Sequence, residues 1–174
     1  MLYALASEHI HVFHKEGWIL FEDLVDGDKL AALGPEGHDL FRTNKALMRR
    51  VYAEIALGLV DKDYLRLVYS QTLVSPLTAE QTLQDISSFS MLEVGMIIVL
   101  ESESVKPGSG IFLTPDCPFE RLPSFTKGVL VVYAAQESRY IFNPNDPHTH
   151  YLKKLGYGFG DNLNVTTHPL LYKL

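Results

Sequence analysis

Apolar and polar positions follow two different periods along this chain, and the change from one to the other divides it in two. Near the start, Leu5, Ile10 and Phe13 share one helical face, with Ser7 a candidate N-cap and Gly17 a stop. Trp18-Ile19-Leu20-Phe21 reads as a short buried strand, and residues 22–27 turn the chain. Asp26 or Asp28 caps a short helix over 29–33, which Gly34-Pro35-Glu36-Gly37 breaks. Leu47, Val51, Ile55 and Leu59 recur at i, i+4, i+8 and i+12, which predicts a helix capped by Asn44 and weakened at its end by Gly58. Asp61 is expected to open a second helix through Tyr64, Leu65, Val68 and Tyr69, so that residues 44–69 form the main helical region. Pro76 marks a break, and residues 78–83 are expected to form one more short helical piece.

Beyond Ser87 the apolar runs become short, β-branched and separated by glycine and proline. Residues 96–101 (MIIVLE) and Gly110–Leu113 (GIFL) read as strands flanking a loop over 102–109, and 116–123 form another irregular connection. Residues 128–150 organise this half. An apolar run over 129–133 leads to the polar cluster Gln136-Glu137-Ser138-Arg139. A second run over 140–142 is stopped by Asn143-Pro144-Asn145-Asp146-Pro147, and His148-Thr149-His150 follow. Gly156, Gly158 and Gly160 punctuate a loop, and 163–167 and 170–172 end the chain as strands. Those glycines precede neither a Lys-Ser/Thr pair nor a helix, so they do not form a phosphate-binding loop. Helices first and strands afterwards predict an α+β fold, whereas a doubly wound parallel sheet needs alternation. A single domain over 1–174 is expected, with 1–85 a mainly helical layer packed outside a β core over 86–174, a sandwich or barrel.

Composition narrows the function classes. The chain is 47% hydrophobic and 21% charged with a net charge of −6, ordinary values for a packed domain. An acidic chain lacks the basic face that phosphate neutralisation requires, which argues against nucleic-acid binding. Its only adjacent basic pairs are Arg49-Arg50 and Lys153-Lys154. No apolar run approaches the ~20 residues of a membrane span, and the first residues lack the basic start of a signal peptide. One cysteine, Cys117, excludes an internal disulfide and fits a reducing compartment. A cytoplasmic protein is expected, with Cys117 a buried structural thiol whose neighbours Asp116 and Glu120 oppose thiolate formation.

Candidate chemistry concentrates in the second half. Arg139 is placed to fork onto a carboxylate or phosphate, with Glu137 and Lys153 nearby; the alternative is a salt bridge from Arg139 to Glu137 or Glu101. His148, His150 and His168 offer three imidazoles for a divalent metal; the alternative is a solvated loop with His168 fixed by Pro169. Glu101 and Glu103 share one strand face, either as paired carboxylates or as surface charges. Of the N-terminal histidines His9, His11 and His14, only the last two share a helical face, as a polar stripe or the start of a metal site.

Residues 13–25 (FHKEGWILFEDLV) resemble the opening of the phytanoyl-CoA dioxygenase family, a helix, a glycine–aromatic turn and a short strand. Residues 96–101 followed by Lys106-Pro107-Gly108-Ser109-Gly110 are similar to a strand and glycine-rich segment of that family. Residues 128–133 resemble a later apolar strand of it, and Asn143-Pro144-Asn145 the polar turn beyond. The resemblance implies a double-stranded β-helix, a cupin-like jelly roll, with the N-terminal helices outside it. It also implies non-heme Fe(II) and 2-oxoglutarate, the iron on a His-x-Asp/Glu pair and a distant His, and an Arg or Lys for the co-substrate carboxylate. This chain departs from that pattern. Its one His-x-Glu, His14-Lys15-Glu16, lies in the expected N-terminal helix; the strand half has no His-x-Asp or His-x-Glu, and there is no histidine between His38 and His148. Ser138 and Arg139 stand where the family's distal histidine is expected.

The resemblance and the departures together imply a 2-oxoglutarate-oxygenase-like protein with a degenerate or variant metal site that binds a small anionic ligand. Whether it turns over a substrate stays open. The alternative is a divalent-metal-responsive regulatory or protein-interaction protein without catalysis, in which His148, His150 or the N-terminal histidines sense the cation.

Overall fold

A computed structural model describes residues 4–33, 50–74 and 79–173. The helix cap expected at Asn44, the stripe position Leu47 and the breaks at Gly34-Pro35-Glu36-Gly37 and Pro76 lie outside the described residues. The elements are α1 (Ser7–Glu16), β1 (Trp18–Phe21), α2 (Gly27–Ala31), α3 (Arg50–Leu59), β2 (Tyr64–Val74), β3 (Leu92–Glu101), β4 (Gly110–Leu113), β5 (Lys127–Ala134) and β6 (Leu170–Tyr172). The fold is α+β. No helix among the described residues is long and apolar enough to cross a membrane.

Gly17 ends α1 in the left-handed conformation, φ 79°, and its N–H reaches Phe13 O at 2.9 Å. The N-cap of α1 is Ala6, one residue before the expected Ser7. Asp61 closes α3 instead of opening another helix. It is left-handed at φ 49°, and Lys62 N–H folds back to Leu57 O at 3.0 Å, the bond pattern of a Schellman end.

The expected helix through Tyr64–Tyr69 is the strand β2. Leu65, Val68 and Tyr69 satisfy a helical spacing, but Leu65 and Leu67 also alternate. Pairing with β5 on one side and β6 on the other decides between the two. The first 85 residues therefore contribute β1 and β2 to the sheet as well as helices. In the second half, β4 and β6 match the expected runs, while residues 163–167 form turns instead of a strand.

All six strands join one antiparallel sheet in the order β1-β4-β3-β5-β2-β6. Its middle strands are buried on both faces, which is why β3 and β5 read as unbroken apolar runs. Val94, Met96, Ile98, Val129, Val131 and Tyr133 point to one side, where Phe13 of α1 and Tyr52, Ile55 and Leu59 of α3 cover them. Each such buried side chain stabilises by about 1.5–3 kcal/mol. Ile97, Val99, Leu130, Val132 and Ala134 point to the other side. No α-helix packs there among the described residues; Leu83, Phe89, Tyr140 and Tyr157 from irregular segments do, with Phe119 and Leu152 from two short 3-10 turns. Of the second sheet expected for a jelly roll, the described residues show two isolated bridges, Phe89↔Tyr140 and Arg139↔Asn162.

Candidate functional site

Four consecutive residues of β2, Leu67, Val68, Tyr69 and Ser70, line a pocket on the loop-covered side of the sheet. A regular strand offers alternate side chains to one face. The register with β5 runs Leu67↔Tyr133 and then Tyr69↔Val132, leaving Val68 as the extra residue of a bulge. Val68 and Tyr69 consequently pack on the same side. The remaining walls come from Ser88 and Phe89, from Tyr140, Asp146, His148, Tyr151 and Leu152, and from Thr167, His168 and Pro169. The interior offers about 40 Å³ to the centres of water-sized molecules, enough for more than one water.

Aromatic rings frame it. The centroid of Phe89 lies 6.4 Å from Tyr69, 6.3 Å from Tyr140 and 5.8 Å from His168. The buried carboxylate of Asp146 lines the same pocket and accepts from Ser88 Oγ at 2.6 Å and from the His148 backbone N–H at 2.8 Å. The second bond is an Asx turn set by Asp146-Pro147-His148. Neither neighbouring phenol donates to this carboxylate: Tyr69 Oη donates to Gln71 Oε1, and Tyr140 Oη to Thr149 O. Asp146 enters no ion pair among the described residues.

Both phenols titrate above their ordinary range. Burial raises Tyr69 most, and the Asp146 carboxylate adds to the shift. Burial also leads for Tyr140, with Asp146 second, partly opposed by a hydrogen bond from the Leu152 backbone. Both side chains are therefore neutral hydroxyls at neutral pH. His168 is buried, and its Nδ1 lies 2.9 Å from Thr167 Oγ1 and 3.3 Å from Tyr157 Oη.

Beside the pocket, Arg66 is a buried guanidinium. Its Nη1 donates to His168 O at 2.7 Å and its Nε to Gln136 O at 3.0 Å. Sequence reasoning does not single out Arg66, Asp146, Ser88 or Tyr140, and places Tyr69 on an expected helix. The signal for Asp146 was present in Asp-Pro-His, a turn sequence whose carboxylate caps its own backbone.

The residues singled out from the sequence fall into two groups. His148 and His168 line the pocket together. His150 does not join them: it is exposed and stacks 6.1 Å from Phe142 and 5.7 Å from Phe159. Gln136, Glu137 and Arg139 are exposed and outside the pocket lining, while Ser138 is buried and donates to Ser90 O at 2.7 Å. Lys153 sits over the Phe159 ring, 4.4 Å from its centroid. The alternative salt bridge from Arg139 to Glu137 or Glu101 does not form. Glu101 and Glu103 are both exposed.

Cys117 is buried, and burial leads the rise of its thiol pKa; Asp116 adds to it and Arg121 opposes it. Of the N-terminal histidines, His9 accepts from the Ala6 backbone N–H at 3.2 Å and meets Phe21 edge-on, while His11 and His14 are exposed.

Among the described residues, no group of three or more His, Cys, Asp and Glu side chains comes together as a metal centre requires. The described side chains therefore do not fit an Fe(II) centre of the facial-triad type.

No protein-family model matches the chain, and no curated protein matches it. Solved structures do match. SnoK, a non-heme alpha ketoglutarate dependent carbocyclase from nogalamycin biosynthesis, superposes with a TM-score of 0.71 at 13% identity, over 96% of this chain and 96% of that one. The epimerase SnoN of the same biosynthesis gives 0.69 at 13% identity, over 94% and 97%. CT296 from Chlamydia trachomatis gives 0.57 at 20% identity, over 78% of this chain and 99% of that one. At these identities the likeness is one of fold: this chain has the architecture on which such oxygenases are built.

Proposed function

We propose that this chain is an oxygenase-fold protein in which the pocket between β2 and residues 140–169 has become a binding site for a small ligand, without an iron centre of the usual kind. In this reading the fold is a reduced double-stranded β-helix whose second sheet has shrunk to the bridges Phe89↔Tyr140 and Arg139↔Asn162. The observation that carries it is the pocket itself: an aromatic-walled cavity with a buried carboxylate, on the sheet face that has no gathered metal ligands among the described residues. Such convergence of apolar walls and a few placed polar groups is the ordinary form of a ligand site. Two measurements test it. Anaerobic titration with Fe(II), with and without 2-oxoglutarate, is expected to show no stoichiometric tight site. A small-molecule screen read by NMR is expected to shift the pocket's aromatic signals, and Thr167→Trp at the pocket wall is expected to block that response. Stoichiometric iron with 2-oxoglutarate turnover overturns the first half, and a screen with no response in the pocket overturns the second.

A second reading keeps an anionic ligand at the surface turn. Arg139 is exposed and makes no ion pair with Glu137 or Glu101, so its planar fork is open to a carboxylate or phosphate.

A further inference from the structure

The geometry points to a small organic cation, an ammonium, guanidinium or quaternary amine headgroup, as the ligand of the Asp146 pocket; this rests on the ligand-binding reading above. Three observations carry it. First, Asp146 is 4% exposed. Burying a carboxylate is costly unless its charge is met, and among the described residues no Lys or Arg lines the pocket. The Ser88 hydroxyl and the His148 N–H satisfy one lone pair on each oxygen. Each oxygen keeps further acceptor capacity.

Second, the phenols that could have met the charge do not. Tyr69 and Tyr140 direct their hydroxyl hydrogens to Gln71 and Thr149, while both residues line the cavity with Asp146 and feel its charge. Third, the rings of Tyr69, Tyr140 and His168 gather around Phe89 at centroid separations of 5.8–6.4 Å. A cation within about 6 Å of aromatic faces is attracted by their quadrupoles, and desolvation strengthens this. An anion faces the opposite sign on both counts. A neutral ligand gains from the rings but leaves the carboxylate uncompensated.

His148 and His168 are the imidazoles of the same pocket. The comparison is made at pH 8.

The experiment compares each of two cations with its uncharged isostere on the wild-type chain: choline with 3,3-dimethylbutan-1-ol, and methylguanidinium with N-methylurea. Binding is followed through the aromatic NMR signals of the pocket. At least one cation is expected to bind on the order of tenfold more tightly than its isostere, and Asp146→Asn is expected to erase that advantage. If Asp146→Asn fails to fold, the wild-type comparison still decides, and Tyr151→Leu is expected to weaken the cation through loss of one wall. Isosteres that bind as well as the cations, or anions that bind better, overturn the cation assignment while leaving a ligand pocket in place. A pocket that responds to no cation, neutral compound or anion overturns both readings.

Discussion

Arg66 and His168 stand 102 residues apart in the chain, and the guanidinium of one donates to the backbone carbonyl of the other at 2.7 Å. The same side chain reaches Gln136 O at 3.0 Å. One buried fork thus ties the turn after β5 to the segment that leads into β6. Of its two cross-strand partners, Leu170 of β6 and Ala134 of β5, the second puts only a methyl group beside it.

Arg66→Met is expected to destabilise the chain by about 2–3 kcal/mol, because charge-assisted bonds are lost and two carbonyls lose their donor. Arg66→Lys is expected to recover little of it, since an ammonium cannot bridge two carbonyls in the fork geometry. Urea denaturation of the three proteins measures both. A lysine variant as stable as wild type counts against the clamp.

Gly108 and Gly156 share φ 88° but differ in surroundings. A Cβ on Gly108 would sit 2.3 Å from Val25 O, a backbone atom, whereas nothing lies within 4 Å of a Cβ on Gly156. Gly156→Ala is expected to cost the left-handed strain alone, about 1–2 kcal/mol. Gly108→Ala adds the displacement of Val25, whose N–H is bonded to Gly108 O at 2.9 Å, and is expected to cost more than about 3 kcal/mol. Equal effects in thermal and urea unfolding would show that the contact yields freely.

Tyr69 and Tyr133 both titrate above their ordinary range in the fold, chiefly through burial. Below pH ~10, the unperturbed tyrosine pKa, both states keep their protons and the contribution is complete. Above it the unfolded chain ionises while the fold does not, so stability falls as pH rises, by about 1.4 kcal/mol per pH unit for each such group. Urea unfolding between pH 9 and 11 is expected to show a steeper decline for wild type than for Tyr69→Phe. Parallel slopes would place the Tyr69 phenol in solvent.

Arg139 tests the surface reading. A thermal-shift screen of 2-oxo acids and phosphorylated metabolites is expected to find an anion that adds about 2.7 kcal/mol at 100 times its dissociation constant, several degrees at this size. Arg139→Ala is expected to remove that shift and to leave the response of the Asp146 pocket unchanged. No response in wild type, or the same response in the variant, assigns Arg139 to the surface alone.

Local sequence determined the pieces whose physics is local. Gly17 could end α1 because only its own φ was at stake, and the runs Trp18–Phe21 and Gly110–Leu113 became β1 and β4 because apolar stretches that short, bounded by turns, are too short for a buried helix. The α+β class followed from the order of the patterns. Tertiary structure decided β2, where Leu65, Val68 and Tyr69 fit either period until β5 and β6 supplied partners on both sides. It also decided the pocket. The bulge at Val68 turns Tyr69 onto the same face as its neighbour, and Asp146, Ser88 and His168 meet it only after strands distant in the chain have paired. Periodicity reports which side of its own element a residue occupies. Which residues face it across a cavity depends on pairings whose register the whole sheet sets.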